Sequence, residues 1–237
     1  MLLRLSQTQT ALAAAPPGSA AARAAFAAAD AEIARLVRCL GDAGLLASTG
    51  LVVAGDHGVA PAHTELRPNV ALAAAGLLVA APDGEVRSWD AIARPTGGSA
   101  FVYASDDDSA LLARRALTEL ANGTDAFRVL SAQEMVERGA DPQAWFGLEA
   151  EPGFVFAATA AGADMAAARV ASAGGHAPSD PRMAAGFVVW GPGVRAGVRI
   201  PSMRQTDVAP TLAAWIGASL PAARGRVLVG LFGGGAP

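Results

Sequence analysis

The sequence predicts an α/β protein, and three observations carry that prediction. A long helical stretch, a glycine stop and a short apolar run follow one another between Ala20 and Gly55. The same apolar-strand texture returns at residues 154–157 and 187–190. A further helix with its own glycine stop follows over residues 206–217. Short continuous apolar runs bounded by turns suit strands buried on both faces, and their alternation with helices suits a parallel sheet.

Taken in order, the leucines of residues 2–5 suggest a short strand, ended by a Thr/Gln/Ala stretch and the break Pro16-Pro17-Gly18-Ser19. Ser19 is placed to cap a helix over residues 20–42. Phe26, Ile33, Leu36, Val37 and Leu40 share one face of that helix, and Gly44 stands just past its end. Leu51-Val52-Val53-Ala54-Gly55 is the buried strand, and the polar turn Asp56-His57-Gly58 lies at its carboxyl end, where sheets of this class gather their chemistry. From about residue 60 the texture changes. A short helix over residues 69–75 is closed by Gly76, and residues 77–80 and 85–89 form a hairpin around Pro82-Asp83-Gly84. A strand at 101–104, a helix at 110–122 and a strand at 127–130 complete a small α+β segment. Asp106-Asp107-Asp108 lacks the spaced ligands of a calcium loop and is better suited to capping that helix. Beyond it, Gly174-Gly175-His176 is a loop between two apolar strands, Trp190-Gly191-Pro192-Gly193 is a turn, and Gly-Gly-Gly-Ala-Pro is a frayed tail.

Composition narrows the function classes. In 237 residues, 52% are hydrophobic and 16% charged, which excludes disorder through want of a core. The net charge of −3, with all 18 basic residues arginine and no polybasic run, gives no nucleic-acid-binding surface. That arginine and alanine bias is attributed to GC-rich coding. The mean hydropathy of +0.34 owes much to alanine. The best apolar run, residues 70–81, falls short of the roughly 20 residues a membrane span needs. The start turns polar at Ser6, too early for a signal-peptide core of about 7–15 residues. Neither signal peptide nor membrane span is therefore expected; a cytoplasmic place is the default. The lone Cys39 forms no internal disulfide and suits buried packing.

Only His57, His63 and His176 carry imidazoles. An Asp-His pair at a strand end suits a zinc-like ion, and a glycine-rich loop can bend to present His176. His63, six residues beyond His57, is expected in the exposed loop that opens the changed segment. Gly97-Gly98-Ser99 invites comparison with a phosphate cradle, but a strand rather than a helix follows it.

The run Leu51-Val52-Val53-Ala54-Gly55-Asp56-His57-Gly58-Val59 resembles the strand-then-DHG signature of the alkaline phosphatase superfamily, and most closely its type I phosphodiesterase/nucleotide pyrophosphatase branch. Further segments resemble that family in the same order: Leu66-Arg67-Pro68-Asn69-Val70; Gly97-Gly98-Ser99-Ala100-Phe101-Val102-Tyr103; Gly174-Gly175-His176 with Asp180-Pro181-Arg182-Met183; Trp190-Gly191-Pro192-Gly193-Val194; and Thr206-Asp207-Val208-Ala209-Pro210-Thr211. The resemblance implies a three-layer α/β/α core, incomplete here, made of residues 1–60 and 151–237, with 61–150 as an inserted α+β subdomain. It implies a phosphoric-ester hydrolase holding two divalent metals, zinc above all, and acting on a phosphodiester or nucleotide. Its metal ligands would include Asp56, His57 and His176. Paired cations activate a nucleophile and offset charge on attacking and leaving oxygens.

The departures from the family pattern bear on activity. The family core has a long N-terminal stretch, holding the first aspartate and the nucleophile, ahead of where this sequence starts. Its Asp-x-x-x-His motif should precede Pro16-Pro17-Gly18-Ser19, which places Gln9 and Ala13 at the two ligand positions. Neither replaces the ligand. Thr8 and Thr10 lie beside that motif rather than at the nucleophile position. The expectation is an N-terminally truncated or degenerate family member. It works as a metal-dependent hydrolase only with donors from elsewhere. The alternative is an inactive pseudoenzyme, acting as a binding module or without a biochemical role. Lost strands would expose sheet edge, so self-association or a complementing chain is expected.

Overall fold

The computed structural model describes residues 1–233. The tail read from the sequence therefore falls, from residue 234 on, outside the described residues. The elements in chain order are α1 (Gln7–Ala14), α2 (Ala20–Asp42), β1 (Leu51–Ala54), β2 (Ala60–Leu66), α3 (Pro68–Ala74), β3 (Leu78–Ala80), β4 (Val86–Trp89), β5 (Ala91–Pro95), β6 (Ser99–Ala104), α4 (Asp107–Thr124), β7 (Phe127–Val129), α5 (Ala132–Glu137), β8 (Phe146–Ala150), β9 (Gly153–Phe156), β10 (Met165–Ala167), β11 (Ser172–Ala173), β12 (Phe187–Trp190) and α6 (Val208–Trp215). The α/β class holds in a mixed form: the named pairings are antiparallel except β2 with β9.

The chain divides into two compact units. One holds residues 1–30 and 57–184, the other 31–56 and 185 onward. The division falls inside α2 and between Asp56 and His57, and the whole 61–150 segment lies in the first unit.

In the first unit, β5-β6-β8-β7 form a four-stranded antiparallel sheet. Its Ala91, Ala93, Ala100, Val102, Phe146 and Leu148 bury one face against Leu72 of α3 and Ala113 and Leu117 of α4. Helix α4 begins where Asp106 accepts the Ser109 N–H at 2.8 Å, with Asp107 and Asp108 in its first turn, so the aspartate run is a cap as expected. It ends at Asp125, a non-glycine residue in the left-handed region. Helix α5 opens on a reciprocal cap in which Ser131 and Glu134 satisfy each other's backbone N–H. Asn69 stitches α3 inward: its amide donates to the Ala93 and Ala158 carbonyls, and its carbonyl accepts from the Ala93 N–H at 2.9 Å. The hairpin β3–β4 turns where Asp83 accepts the Glu85 N–H. Strand β2 pairs with β9, β10 and β11, and α1 lies along β11 through the Ala171 N–H bond to the Ala13 carbonyl at 2.7 Å.

Two expectations fail here. Residues 2–5 form no strand; they are exposed and precede α1, which the sequence did not signal. His63 stands on β2 rather than in a loop, still exposed, its ring edge-on to Phe154.

The second unit is built on β1 and β12, an antiparallel ribbon with Leu51 opposite Trp190 and Val53 opposite Val188. The expected buried parallel strand is thus a two-stranded ribbon. Residues on one side of a strand alternate with those on the other. Phe187 and Val189 face the core of Leu228, Leu231 and Phe232; Val53, Val188 and Trp190 are exposed, Val188 to 63%. Helix α2 has the predicted bounds: Ser19 Oγ accepts the Ala22 N–H at its start, and the Leu45 N–H returns to the Leu40 carbonyl around Gly44 at its end. Cys39, expected to be buried, is exposed. Beyond the turn at Gly191–Val194, α6 starts at Asp207, whose carboxylate accepts the N–H groups of Arg204 and Arg226. No described helix is long and apolar enough to cross a membrane.

Candidate functional site

Two glycine pairs, Gly97-Gly98 and Gly174-Gly175, distant in sequence, face each other in the first unit. The Gly98 N–H donates to the Gly174 carbonyl at 2.9 Å. Gly97 is at φ +99° and Gly175 at φ +75°, a region that suits glycine. A Cβ on Gly97 would stand 2.3 Å from the Gly174 oxygen, and one on Gly175 would stand 1.8 Å from the Thr96 oxygen. The contact is closed to any side chain. Strand neighbours anchor it, since the Phe156 N–H donates to Gly97 and the Ala150 N–H to Gly98. The glycines of the 97–99 segment therefore make room for a close backbone approach.

Both site imidazoles of this unit lie against the contact. The His176 ring covers Gly98, where a Cβ would come within 2.3 Å of Cγ. The His57 ring covers Gly174, where a Cβ would come within 2.5 Å of Cε1. His57 is exposed, and its Nδ1–H donates to the Gly58 carbonyl at 2.7 Å. The Gly58 N–H donates to Met183, on the turn that follows His176. His176 is only 8% exposed, and its Nε2 is buried without a hydrogen-bond partner. An unsatisfied buried polar atom costs about 1–3 kcal/mol, so its presence calls for a reason.

His176 lines a pocket of about 250 Å³ with Glu149, Ala150, Glu151, Pro152, Ala177, Ser179, Asp180 and Arg182. Asp180 grips the Arg182 guanidinium at 2.6 Å and also accepts its backbone N–H. Those bonds hold the Asp180 carboxyl down to about 2. Burial, then the Arg182 charge, holds the His176 imidazole below its ordinary value. Burial pushes Glu149 up, but hydrogen bonding and charge from Arg138, with Arg128 behind it, leave it below the ordinary carboxylate range.

Asp56 is exposed and belongs to the second unit, just after Gly55, whose N–H donates to the Gly186 carbonyl at 2.9 Å. At the degraded motif, Gln9 accepts weakly from Arg4 at 3.4 Å, and Ala13 offers only its backbone carbonyl. Thr10 on α1 donates to the Ser6 carbonyl. An ion of the zinc class takes about three or four protein donors. Among the described residues no group of three or more His, Cys, Asp or Glu side chains is gathered that could hold an ion. The donor set does not fit a two-ion centre. What sequence reasoning missed is the role of Gly97 and Gly98 and the charged lining around His176; neither leaves a local signal, because each depends on segments distant in the chain.

The family model described as "Type I phosphodiesterase / nucleotide pyrophosphatase" matches residues 1–170. Curated proteins give no match. Among solved structures, murine ectonucleotide pyrophosphatase/phosphodiesterase 5 is similar at 15% identity and a TM-score of 0.72, over 95% of this chain and 56% of that one. The human counterpart is similar at 14% and 0.71, with the same coverage. An inactive form of the murine protein in complex with AMP is similar at 16% and 0.72. At such identities the likeness shows the fold, an alkaline-phosphatase-like one, and the chain spans little more than half the length of these relatives.

Proposed function

Because the chain belongs to the type I phosphodiesterase/nucleotide pyrophosphatase family, we propose that it is a phosphoric-ester hydrolase by descent which, on its own residues, does not turn over. The observation that carries this reading is the donor set: no trio of ligating side chains is gathered among the described residues. His57 and His176 are the first unit's contribution to a divalent-metal centre, too few for two ions. The ligand class is a phosphodiester or nucleotide, in keeping with the AMP bound by the similar murine protein. The family nucleophile is absent from this reading, and Thr8 and Thr10 on α1 do not replace it.

A second reading has one observation in its favour. The buried, unpartnered Nε2 of His176 is what a metal ligand offers, so a complementing chain that brought further donors would restore a hydrolase. Calorimetric titration with zinc and an assay with bis(4-nitrophenyl) phosphate test the first reading. The purified chain should take up less than one equivalent of zinc and hydrolyse the diester no faster than His176→Ala. One equivalent or more, with turnover lost in His176→Ala, overturns the silent reading.

A further inference from the structure

We propose that the free edge of β1 is an interaction surface for a second copy of this chain, the two β1 strands pairing antiparallel about a two-fold axis at Val52. The ribbon β1–β12 has no third strand among the described residues, so each of its strands keeps an open edge. Open edges invite pairing, and charged residues or proline on them discourage it. The edges of the first unit's sheet carry that protection, Arg94 and Pro95 on β5 and Arg128 on β7, and β4 carries Arg87. Leu51-Val52-Val53-Ala54 and Phe187-Val188-Val189-Trp190 carry neither charge nor proline.

The register decides which backbone groups are available. Gly55 donates its N–H to the Gly186 carbonyl, and the same antiparallel register runs on to Leu51 opposite Trp190. Bonded and non-bonded pairs alternate along such a ladder, so Leu51 and Val53 turn their backbone groups towards β12, whereas Val52 and Ala54 turn theirs outward. On β12 the outward positions are Phe187 and Val189, which pack on the core of the second unit; on β1, Ala54 is exposed. The edge of β1 is complementary to itself. With Val52 opposite Val52 of the second copy, the N–H of each meets the carbonyl of the other. Leu51 then lies opposite Val53 of the second copy, on the ribbon's outer face in both, and the Val52 side chains share the inner face. A shift by one residue would set outer face against inner face and leave the outward N–H groups without acceptors. The seam is four residues long, roughly 13 Å, and pairing uses up the β1 edge, so association stops at two.

Sedimentation velocity of the whole chain should show a reversible monomer–dimer equilibrium with a Kd of the order of tens of micromolar, as a seam at the low end of interface size allows. Amide exchange at Val52 should slow as concentration rises through that range, while exchange at Val189 on the β12 edge should not change. Val53→Lys, which sets a charge beside Leu51 of the second copy, should weaken the dimer about tenfold. Val188→Lys, on the same face but one strand away from the seam, should leave it unchanged. Val52→Pro removes an outward N–H, where an edge strand accepts proline, and should give a folded monomer; if it does not fold, the exchange and the two lysine variants decide. A native chain that stays monomeric, or assembly beyond two, overturns the β1 pairing. So does protection at Val189 instead of Val52, a folded Val52→Pro that still pairs, or equal weakening by the two lysines. Each of these results leaves the family reading intact, since none involves a metal or an ester.

Discussion

In the first unit Val102, Phe146 and Leu148 lie on one sheet face with α3 and α4 against them, and none is more than 1% exposed. In the second unit the ribbon β1–β12 carries apolar residues on both faces: Phe187 and Val189 pack on a core, while Val188 and Trp190 stay in water. Both units draw on Val, Phe and Leu. They differ in how many layers meet those residues. A strand apolar on both faces is stable only when something covers each, and a two-stranded ribbon is marginal without that cover. Apolar composition states what a segment could bury. It does not state what buries it.

The comparison can be broken by mutation. Phe146→Ala should destabilise by about 3–5 kcal/mol in urea unfolding, because it leaves a cavity in a closed core. Val188→Ala on the ribbon should stay within about 0.5 kcal/mol. Equal losses at the two sites would mean that the ribbon's outer face is covered in solution.

A smaller effect is expected at the glycine contact. Gly98→Ala should cost about 1–3 kcal/mol, since the new Cβ must push the His176 ring or the strand aside. The same change at Gly186, where a Cβ meets nothing within 4 Å, serves as the control and should be close to neutral.

The second unit has one polar anchor to test by pH. The N–H groups of Arg204 and then Arg226 hold the Asp207 carboxyl below its ordinary value, against the opposite push of burial. A carboxyl depressed on folding adds stability that is complete above its unfolded value, about 3.9, and fades as pH falls through the folded one. Asp207→Asn should therefore lower the melting temperature at neutral pH and flatten its fall below about pH 4. An unchanged acid limb would remove Asp207 from the account.

Much of the fold was legible where the cause is local. Ser19 and Gly44 bracket α2, Asp106 caps α4, and Pro82-Asp83-Gly84 turns a hairpin; each acts through its own neighbours. The Ser131–Glu134 spacing was equally readable and went unused, so α5 was missed. Strand β2 was out of reach: Ala-Pro-Ala-His-Thr-Glu-Leu has little strand preference and is held by pairing with β9, β10 and β11. The run at Leu51–Ala54 was read correctly as a strand and wrongly as a buried parallel one, because neither its partner nor its cover lies nearby in sequence. At the site, the Gly-Gly-His loop could be read. Its seat on Gly98 and its charged neighbours could not, being products of tertiary approach.

The facing glycines also set a limit on drift. One base change turns a glycine codon into an alanine codon. At Gly97, Gly98, Gly174 and Gly175 that small step is costly, since each extra carbon would land on backbone or on an imidazole. As long as those four stay bare the two loops remain locked together, whatever has become of the ancestral chemistry. Sequenced descendants would show the lock failing as the first alanine among them.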